Sequence, residues 1–365
     1  MQGKNNGVPD QLVKPAVRTF STGMREITPG AAFEKIWHSL DKGYDIQLTH
    51  TYGFAMAFYS WLKKRLSDRI PVIDYPTSRE QRRLLHQYQS KIWIRVKEHK
   101  ALLKGAPDNP WLRDFYPDEH DFFITFSDFL GMNGARQWHE KGKTYKVLTH
   151  PLHPFYGVYF PTRESHLNLF DSWLKDNRGF ERALDIGTGC GILSFIMHKH
   201  GLKAIHATDT NPNAIYSIQE DLSRLGMTSG SYIFPEQADM LGSYVPAHGD
   251  LIVCNPPWIP GKPLTTLDQG SYYEEDFFAG FFNTLKDRCP AGVKIAILFS
   301  NFALVAGITD THPMEEALQM HHADFQLLLY DRTPVTDKPS RKKSWITSIR
   351  NKEHVELYVL ERKET

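Results

Sequence analysis

The chain has 365 residues, 41% of them hydrophobic and 13% aromatic, which is typical of a globular protein and long enough for two domains. Its formal net charge of +1 gives no overall field that marks nucleic acid or an anionic membrane as the partner. Three scattered cysteines without C-x-x-C spacing argue against a disulfide scaffold and a zinc site. Without an apolar signal region or the ~18 apolar residues of a membrane span, we expect a soluble cytoplasmic protein that binds neither metal nor membrane.

The first 125 residues predict a mainly helical N-terminal domain that serves substrate recognition or acts as a lid. Helices are expected over 31–42 and 52–67, and Thr77-Ser78-Arg79-Glu80 is a capping-box start for a longer helix toward residue 104. Apolar residues follow one face of that helix, and the rest is basic: Arg82, Arg83, Lys91, Arg95, Lys97, Lys100 and Lys104. Such a surface is either a docking site for RNA phosphates or an acidic protein, or a solvated helix face.

Residues 126–165 are interpreted as a linker, with short strands over 145–148 and 157–160. From about residue 180, short apolar runs alternate with helical patterns, as in a parallel sheet with crossover helices. Strands are expected over 182–186, 204–208, 231–234, 250–254, 293–300, 324–330 and 355–360. Helices are expected over 192–200, 212–225, 276–288 and 313–321. The sequence therefore predicts an α/β domain over 166–365 with a Rossmann-like sheet of seven strands, mostly parallel and ending in an antiparallel hairpin.

A glycine-rich turn follows the first of these strands and opens a helix, where a doubly wound sheet binds its nucleotide. The turn reads Asp185-Ile186-Gly187-Thr188-Gly189-Cys190-Gly191. A dinucleotide site of the form G-x-G-x-x-G needs a glycine at position 192, where this chain has Ile192. The alternate glycines instead resemble the Asp-x-Gly-x-Gly-x-Gly pattern of class I S-adenosylmethionine-dependent methyltransferases.

The resemblance implies S-adenosylmethionine as cofactor, with S-adenosylhomocysteine as product, and assigns its contacts. Asp209, at the end of the second strand and followed by Thr210, is expected to accept the two ribose hydroxyls. Asp239, followed by Met240, stands in the segment that meets the adenine amino group. The glycine turn itself supplies the remaining expected contacts: Asp185, Gly187, Thr188, Gly189 and Gly191.

At the end of the fourth strand the chain reads Asn255-Pro256-Pro257-Trp258. Two prolines end the strand and leave its carbonyl groups free for a ligand. The Asn255 side-chain oxygen and the Pro256 carbonyl form a pair of acceptors for a planar NH2 group, and Trp258 offers a stacking face. In this place the family carries its (Asn/Asp)-Pro-Pro-aromatic motif, used on amide or exocyclic amino nitrogens. We therefore expect Asn255, Pro256 and Trp258 to be catalytic, and Asn255 to touch the cofactor as well.

Within this class the chain resembles the glutamine methyltransferases of polypeptide release factors and uncharacterised bacterial relatives. The segment before the glycine turn resembles theirs, with Ser165 where many members have Thr, whereas the N-terminal region does not match their substrate domain. Further candidates for substrate contact are Pro257, Tyr159, Arg163 and Tyr272. The acceptor stays open between a protein glutamine, an RNA base amino group and a small molecule, and a binding protein without catalysis is the fourth alternative.

Overall fold

The computed structural model describes residues 11–28, 30–227, 230, 232–264, 268, 270–335 and 345–364. The chain divides into two compact units, an N-terminal unit (Met1–Gln137) and a C-terminal unit (Trp138–Thr365). Among the described residues we find no helical segment with the length and hydrophobicity of a membrane span.

The N-terminal unit combines helices with a sheet that the sequence did not predict. Its strands are β1 (Val17–Arg18), β2 (Met24–Ile27), β3 (Asp45–Leu48), β4 (Ile92–Lys97), β5 (Lys100–Ala101) and β6 (Asp121–Thr125). Its helices are α1 (Phe33–Asp41), α2 (Tyr52–Arg69), α3 (Tyr75–Gln89), α4 (Trp111–Phe115) and α5 (Phe126–Lys141), the last of which spans the division between the units. Within the described part of the unit the strand order is β1-β6-β4-β3-β2, with β5 paired to β4.

The long basic helix is the clearest error in the N-terminal unit. A reciprocal capping box does exist, but Asp74 is the cap and Thr77 is its partner, and α3 ends at Gln89. The next apolar residues form β4 because Ile92, Ile94 and Val96 alternate along it and are β-branched, which suits a buried strand. The basic residues beyond position 90 therefore do not share one helix face.

The predicted linker is also corrected. Helix α5 occupies its first part, and neither 145–148 nor 157–160 forms a strand. The segment holds only an isolated antiparallel bridge between Lys143 and Leu152. The second segment begins at Gly157, whose φ of 72° lies outside the extended region that a strand requires. The division between the units falls after Gln137 rather than at residue 125.

The C-terminal unit begins its regular structure with α6 (Ser165–Asp176) and alternates strands with helices thereafter. Its strands are β7 (Arg182–Ile186), β8 (Ala204–Asp209), β9 (Ile233–Gln237), β10 (Leu251–Cys254), β11 (Ile259–Pro260), β12 (Tyr272–Tyr273), β13 (Lys294–Ser300), β14 (Phe325–Pro334) and β15 (His354–Arg362). Its further helices are α7 (Ile192–Lys199), α8 (Pro212–Arg224), α9 (Phe277–Arg288), α10 (Phe302–Val305), α11 (Pro313–Met320) and α12 (Trp345–Arg350).

Seven of these strands form one sheet in the order β14-β15-β13-β10-β7-β8-β9 among the described residues. The five neighbouring strands β13, β10, β7, β8 and β9 are parallel to one another. Strand β15 lies between β13 and β14 and runs antiparallel to both. This arrangement confirms the predicted α/β fold with its antiparallel C-terminal hairpin. The central strand β10 is apolar and buried throughout, and β7 is buried from Ala183 onward, because helices cover both faces of such a sheet.

The edge strand β14 differs from the other strands of this sheet. Its pairing with β15 is interrupted by a bulge between Leu327 and Leu329, and both of those residues, together with Leu328 and Tyr330, are exposed. A bulge on an edge strand disturbs the ladder that a second chain would otherwise extend.

Candidate active site

The carboxyl ends of β7, β8 and β10 surround a cavity in the C-terminal unit. Strand β8 lies on one side of β7 and β10 on the other, so this is the position where the strand order reverses and open α/β sheets bind ligands. Predicted site residues that line the cavity are Tyr159, Gly187, Gly189, Asp209, Thr210, Asp239, Met240, Asn255, Pro256 and Pro257. The lining also includes residues that sequence reasoning missed: Gly157, Ile186, Asn211, Ala214, Ala238, Cys254, Gly270 and Phe277.

The glycine turn is held by backbone hydrogen bonds. The amides of Gly187 and Thr188 donate to the Thr208 carbonyl at 2.9 and 3.0 Å. Both Gly187 (φ 68°) and Gly189 (φ 53°) are in the left-handed region that favours glycine. They differ in space, because a Cβ on Gly189 would lie 2.9 Å from the Tyr159 carbonyl oxygen, whereas a Cβ on Gly187 would meet no atom within 4 Å. Gly189 thus permits close packing, and Gly187 leaves room beside the cavity.

Asp185 does not line the cavity but stabilises the turn through hydrogen bonds. Its Oδ2 accepts hydrogen bonds from Thr188 Oγ1 (2.7 Å) and from the Ser194 amide and hydroxyl (3.1 and 2.7 Å). Burial raises the pKa of Asp185 to about 6, hydrogen bonds from Ser194 and Thr188 oppose the rise, and the charge of Asp209 adds to it. Thr188 and Gly191 likewise shape the turn without facing the cavity.

Asp209 joins the turn to the end of β8. Its Oδ2 accepts from the Gly189 amide at 2.9 Å, and its Oδ1 accepts from the Asn211 amide at 2.8 Å. Burial raises the pKa of this carboxyl, and the two backbone donors oppose the rise. Each carboxylate oxygen retains acceptor capacity because an ionised carboxylate offers about four lone-pair sites. The carboxylate is therefore fixed by the backbone and still able to bind two hydroxyl groups.

The neighbouring wall comes from the segment after β9, where Ala238, Asp239 and Met240 line the cavity. Met240 has φ 51°, a left-handed conformation that is uncommon for a residue with a side chain. Its carbonyl accepts a hydrogen bond from Thr208 Oγ1 at 2.6 Å, which ties the segment to β8. Asp239 thus lies on the same cavity as Asp209, and its contact with an adenine amino group stays a prediction.

The Asn255-Pro256-Pro257-Trp258 segment follows β10 directly, and its first three residues line the cavity. Trp258 is not among the lining residues. Its indole Nε1 donates to Asn255 Oδ1 at 3.1 Å, and its ring meets the His166 ring edge to face at 5.3 Å. Stacking of Trp258 on a planar acceptor stays a prediction, whereas its contact with Asn255 is a feature that the sequence did not reveal.

The remaining substrate candidates are divided by the structure. Tyr159 lines the cavity, and burial raises the pKa of its phenol to about 12, with Cys190 adding to the rise. Arg163 instead pairs with Glu353 at 3.2 Å, and Tyr272 is buried where β12 pairs with β11. Gly270 packs on Tyr159, since a Cβ there would lie 2.7 Å from the Tyr159 side chain.

The cavity offers acceptors and shape rather than a nucleophile. Burial raises the pKa of the Cys254 thiol, so this lining cysteine stays protonated near neutral pH. Within the described ranges, no group of three or more His, Cys, Asp or Glu side chains is arranged to hold a metal ion. The cavity lining thus offers carboxylate acceptors at Asp209 and Asp239 and an amide acceptor at Asn255.

Comparison with known proteins relates part of the chain to methyltransferases. Residues 168–269 match the family model of the methyltransferase small domain. A 132-residue segment is 34% identical to a Methanocaldococcus jannaschii protein described as "Putative protein N5-glutamine methyltransferase". The match covers 35% of this chain and 59% of that protein, so the chain spans less than two thirds of its relative.

Two solved structures are similar over more than half of the chain. The ribosomal protein L11 methylase of Lactobacillus delbrueckii subsp. bulgaricus is 18% identical, with a TM-score of 0.39, and covers 62% of this chain and 93% of its own. The N-methyltransferase NodS of Bradyrhizobium japonicum, crystallised with S-adenosylhomocysteine, is 12% identical, with a TM-score of 0.36. It covers 55% of this chain and 88% of its own.

Proposed function

We propose that the protein, whose residues 168–269 match the methyltransferase small domain, uses S-adenosylmethionine to methylate a planar amide or amino nitrogen. The preferred acceptor is a protein glutamine side chain. The observation that carries the proposal is that Asn255 and Pro256 line the same cavity as Gly187 and Asp209. A donor site and a site for an NH2 group thus share one space.

The residues of the cavity fit the cofactor. Gly187 leaves open space in which a Cβ would otherwise project, so a ligand can approach the backbone of the turn. Asp209 is held by two backbone amides and keeps acceptor capacity for the two ribose hydroxyls. Asp239 on the neighbouring wall is the proposed partner of the adenine amino group. Asp185 and Thr188 would contribute by keeping the turn in shape.

When bound, S-adenosylmethionine supplies a methyl group on a positively charged sulfur. The new bond joins that carbon to the acceptor nitrogen as the carbon–sulfur bond breaks, and the nitrogen then loses one proton. The protein's task is to align the acceptor, because an in-line displacement depends on position more than on reactive side chains. No covalent intermediate with the protein is required.

Asn255 and Pro256 are proposed to perform that alignment. An amide nitrogen is a poor nucleophile because its lone pair is delocalised into the carbonyl. Hydrogen bonds from its NH2 group to Asn255 Oδ1 and the Pro256 carbonyl favour a more pyramidal nitrogen. These bonds strengthen as positive charge develops on the nitrogen, so they stabilise the transition state more than the bound substrate.

The preference for glutamine rests on the amide-binding pair and on the M. jannaschii relative. The alternative of an RNA base was motivated by a basic helix surface, and that surface is divided between α3 and later elements. Arg95, for example, lies on β4 and donates to Asp121 at 2.7 Å. No observation therefore favours RNA over a protein acceptor.

The acceptor class can be tested directly. The protein is incubated with methyl-labelled S-adenosylmethionine and a cell extract separated into protein, RNA and small-molecule fractions. We expect label in the protein fraction, resistant to ribonuclease, and N5-methylglutamine after digestion. Label confined to RNA or to small molecules would overturn the proposed acceptor while retaining the methyltransferase. Failure of the purified protein to bind either S-adenosylmethionine or S-adenosylhomocysteine would overturn the proposal as a whole.

The role of Asn255 is tested by Asn255→Ala. We expect turnover to fall by about a thousandfold, equivalent to ~4 kcal/mol, because the main transition-state acceptor is removed. Cofactor affinity, measured by calorimetry, should change only severalfold. Asn177→Ala, which removes an exposed asparagine that bonds the Trp173 carbonyl, is the matched control and should behave as wild type. Wild-type turnover in Asn255→Ala would exclude the proposed alignment.

A further inference from the structure

The Asn255 carboxamide is held in one orientation by a residue of its own motif. Trp258 Nε1 carries a hydrogen and can only donate, and it lies 3.1 Å from Asn255 Oδ1. Turning the amide over would bring two donors together and lose this bond. The contact therefore determines which end of the carboxamide is oxygen, a choice that an unpaired asparagine leaves open.

This orientation matters for the proposed chemistry. A carbonyl oxygen has two lone pairs, so Asn255 Oδ1 accepts from Trp258 and still has capacity for an acceptor NH2 group. If the amide turned over, its own NH2 would face the acceptor NH2. A carboxamide in the reversed orientation would then repel the substrate that it binds when Oδ1 accepts from Trp258.

Trp258 is in turn contacted by His166, the second residue of α6. The two rings meet edge to face, with centroids 5.3 Å apart and an interplanar angle of 87°. Edge-to-face pairs of aromatic rings are favourable and directional. The His166 side chain is 2% exposed, so its position is set by packing.

The buried imidazole of His166 lowers the stability of the folded protein relative to an apolar side chain. Within the described part of the molecule, neither of its ring nitrogens has a hydrogen-bond partner. Burying unsatisfied polar atoms costs free energy, and an apolar side chain of similar size would avoid that cost. Burial, followed by the nearby charge of Arg163, lowers the pKa of His166 to about 3, so the ring stays neutral at physiological pH.

His166 is not placed to move a proton, because it does not line the cavity. We infer that Trp258 and His166 are positioning residues: the indole N–H fixes the Asn255 carboxamide, and packing against the His166 ring fixes the indole. The inference rests on the proposed role of Asn255 and deepens it. The neutral imidazole acts through its shape and does not change charge during the reaction.

The contact itself is tested without any acceptor. In the protein labelled with 15N, the indole N–H resonance of Trp258 is identified by its absence from Trp258→Phe. We expect this resonance to shift in Asn255→Ala, which removes the hydrogen-bond acceptor, and in His166→Leu, which removes the ring. His150→Leu is the matched control. Like His166, His150 meets an aromatic ring edge to face, that of Phe195 at 5.4 Å, but it has no part in this chain of contacts. A resonance unaffected by both Asn255→Ala and His166→Leu would overturn the inference.

Kinetics then test the positioning role. Trp258→Phe keeps a ring but removes the N–H, and loss of one hydrogen bond that orients the carboxamide should lower kcat by about tenfold. His166→Leu should lower kcat by roughly fivefold, and His166→Phe, which keeps a flat ring, should restore most of that loss. Affinity for S-adenosylhomocysteine should stay within about twofold in all three variants, since none lines the donor site.

The outcomes separate this inference from the proposed function. Wild-type kcat in a folded Trp258→Phe protein that binds S-adenosylhomocysteine would overturn the positioning role. So would equal activities of His166→Leu and His166→Phe. If no fraction accepts a methyl group, the proposed function fails, and the indole resonance still decides whether the three side chains are coupled. His150→Leu should match wild type in every measurement.

Discussion

The proposed donor side and the proposed acceptor side of the cavity are held in shape by different kinds of contact. On the donor side, backbone amides of the glycine turn bind Thr208 and Asp209. On the acceptor side, the decisive contacts join side chains: the Trp258 indole to Asn255, and the His166 ring to Trp258. The donor side therefore depends on the backbone conformation of one short loop, and the acceptor side on which side chains meet.

This difference has a physical consequence. A turn formed by backbone amides and positive φ depends on its glycines and on few side chains, here chiefly Asp185 and Asp209. Side-chain contacts can be altered one residue at a time. The acceptor side is therefore the part in which a single substitution can change specificity, whereas a substitution on the donor side affects folding or cofactor affinity. Four predictions test this comparison, from the largest expected effect to the smallest.

The buried carboxyl of Asp185 should make the donor side sensitive to pH. Its pKa is about 6 in the folded protein and near 3.8 when unfolded, so the folded state binds the proton more tightly. This group's contribution to stability is full below pH 3.8 and is lost as pH rises to about 6, a change of about 3 kcal/mol. The free energy of unfolding of wild type relative to Asp185→Asn should fall by that amount across this range in denaturant titrations.

Asp171 provides a control of opposite sign. Burial raises its pKa, but hydrogen bonds from Lys199 and His200 outweigh burial and lower it overall. Its stabilising contribution is therefore present near neutral pH and is lost on acidification. The stability of wild type relative to each variant should therefore change with pH in opposite directions. If both differences fell as pH rises, or both fell as pH drops, burial would not explain the behaviour of Asp185.

Asp209→Ala should separate binding from turnover. The variant loses the acceptor proposed for two ribose hydroxyls, and we expect cofactor affinity to weaken about a hundredfold, or ~2.7 kcal/mol. Turnover at saturating cofactor should change much less, which is the reverse of Asn255→Ala. Calorimetry and steady-state kinetics measure the two quantities. Asp239→Ala, which removes a single proposed contact, should weaken affinity by about tenfold only.

Alanine substitutions at two glycines of the turn should have different effects, one mainly on stability and the other mainly on cofactor affinity. Gly189→Ala places a methyl 2.9 Å from a backbone oxygen in addition to the left-handed strain, and should reduce the free energy of unfolding by about 2 kcal/mol or more. Gly187→Ala carries only the strain, about 1 kcal/mol, but its methyl projects into open space beside the cavity. Its main effect should be on cofactor affinity. Wild-type affinity in Gly187→Ala would show that the ligand does not approach this glycine.

Met240→Asn is expected to have the smallest effect. Asparagine tolerates the left-handed region better than methionine does, so the substitution should raise the free energy of unfolding by less than ~1 kcal/mol. Cofactor affinity should fall modestly because an apolar wall of the cavity is lost. Thermal unfolding with and without S-adenosylhomocysteine separates the two effects. A clear loss of stability in the free protein would mean that Met240 packing outweighs its backbone strain.

Sequence reasoning succeeded where the signal is local. Strand β7 has the predicted bounds, and Gly187, Asp209 and Asp239 line the cavity, because each belongs to a short segment that follows its own strand. The contact of His166 with Trp258 joins distant segments and has no local signature.

In the N-terminal unit, apolar residues with helical spacing continued through position 103, and only the alternation over β4 indicates the strand. The two-residue strands β1 and β5 are too short to show any periodicity.

The position of β15 has a consequence for synthesis of the chain. Residues 354–362 pair with all of β13 on one side and with β14 on the other. Until they leave the ribosome, β13, whose residues are almost all buried in the finished protein, presents an open strand edge. Exposed edges and apolar surface on incomplete chains promote aggregation. The C-terminal unit therefore has a vulnerable interval between the synthesis of β13 and that of β15, and β13 is covered on this side only when β15 is inserted.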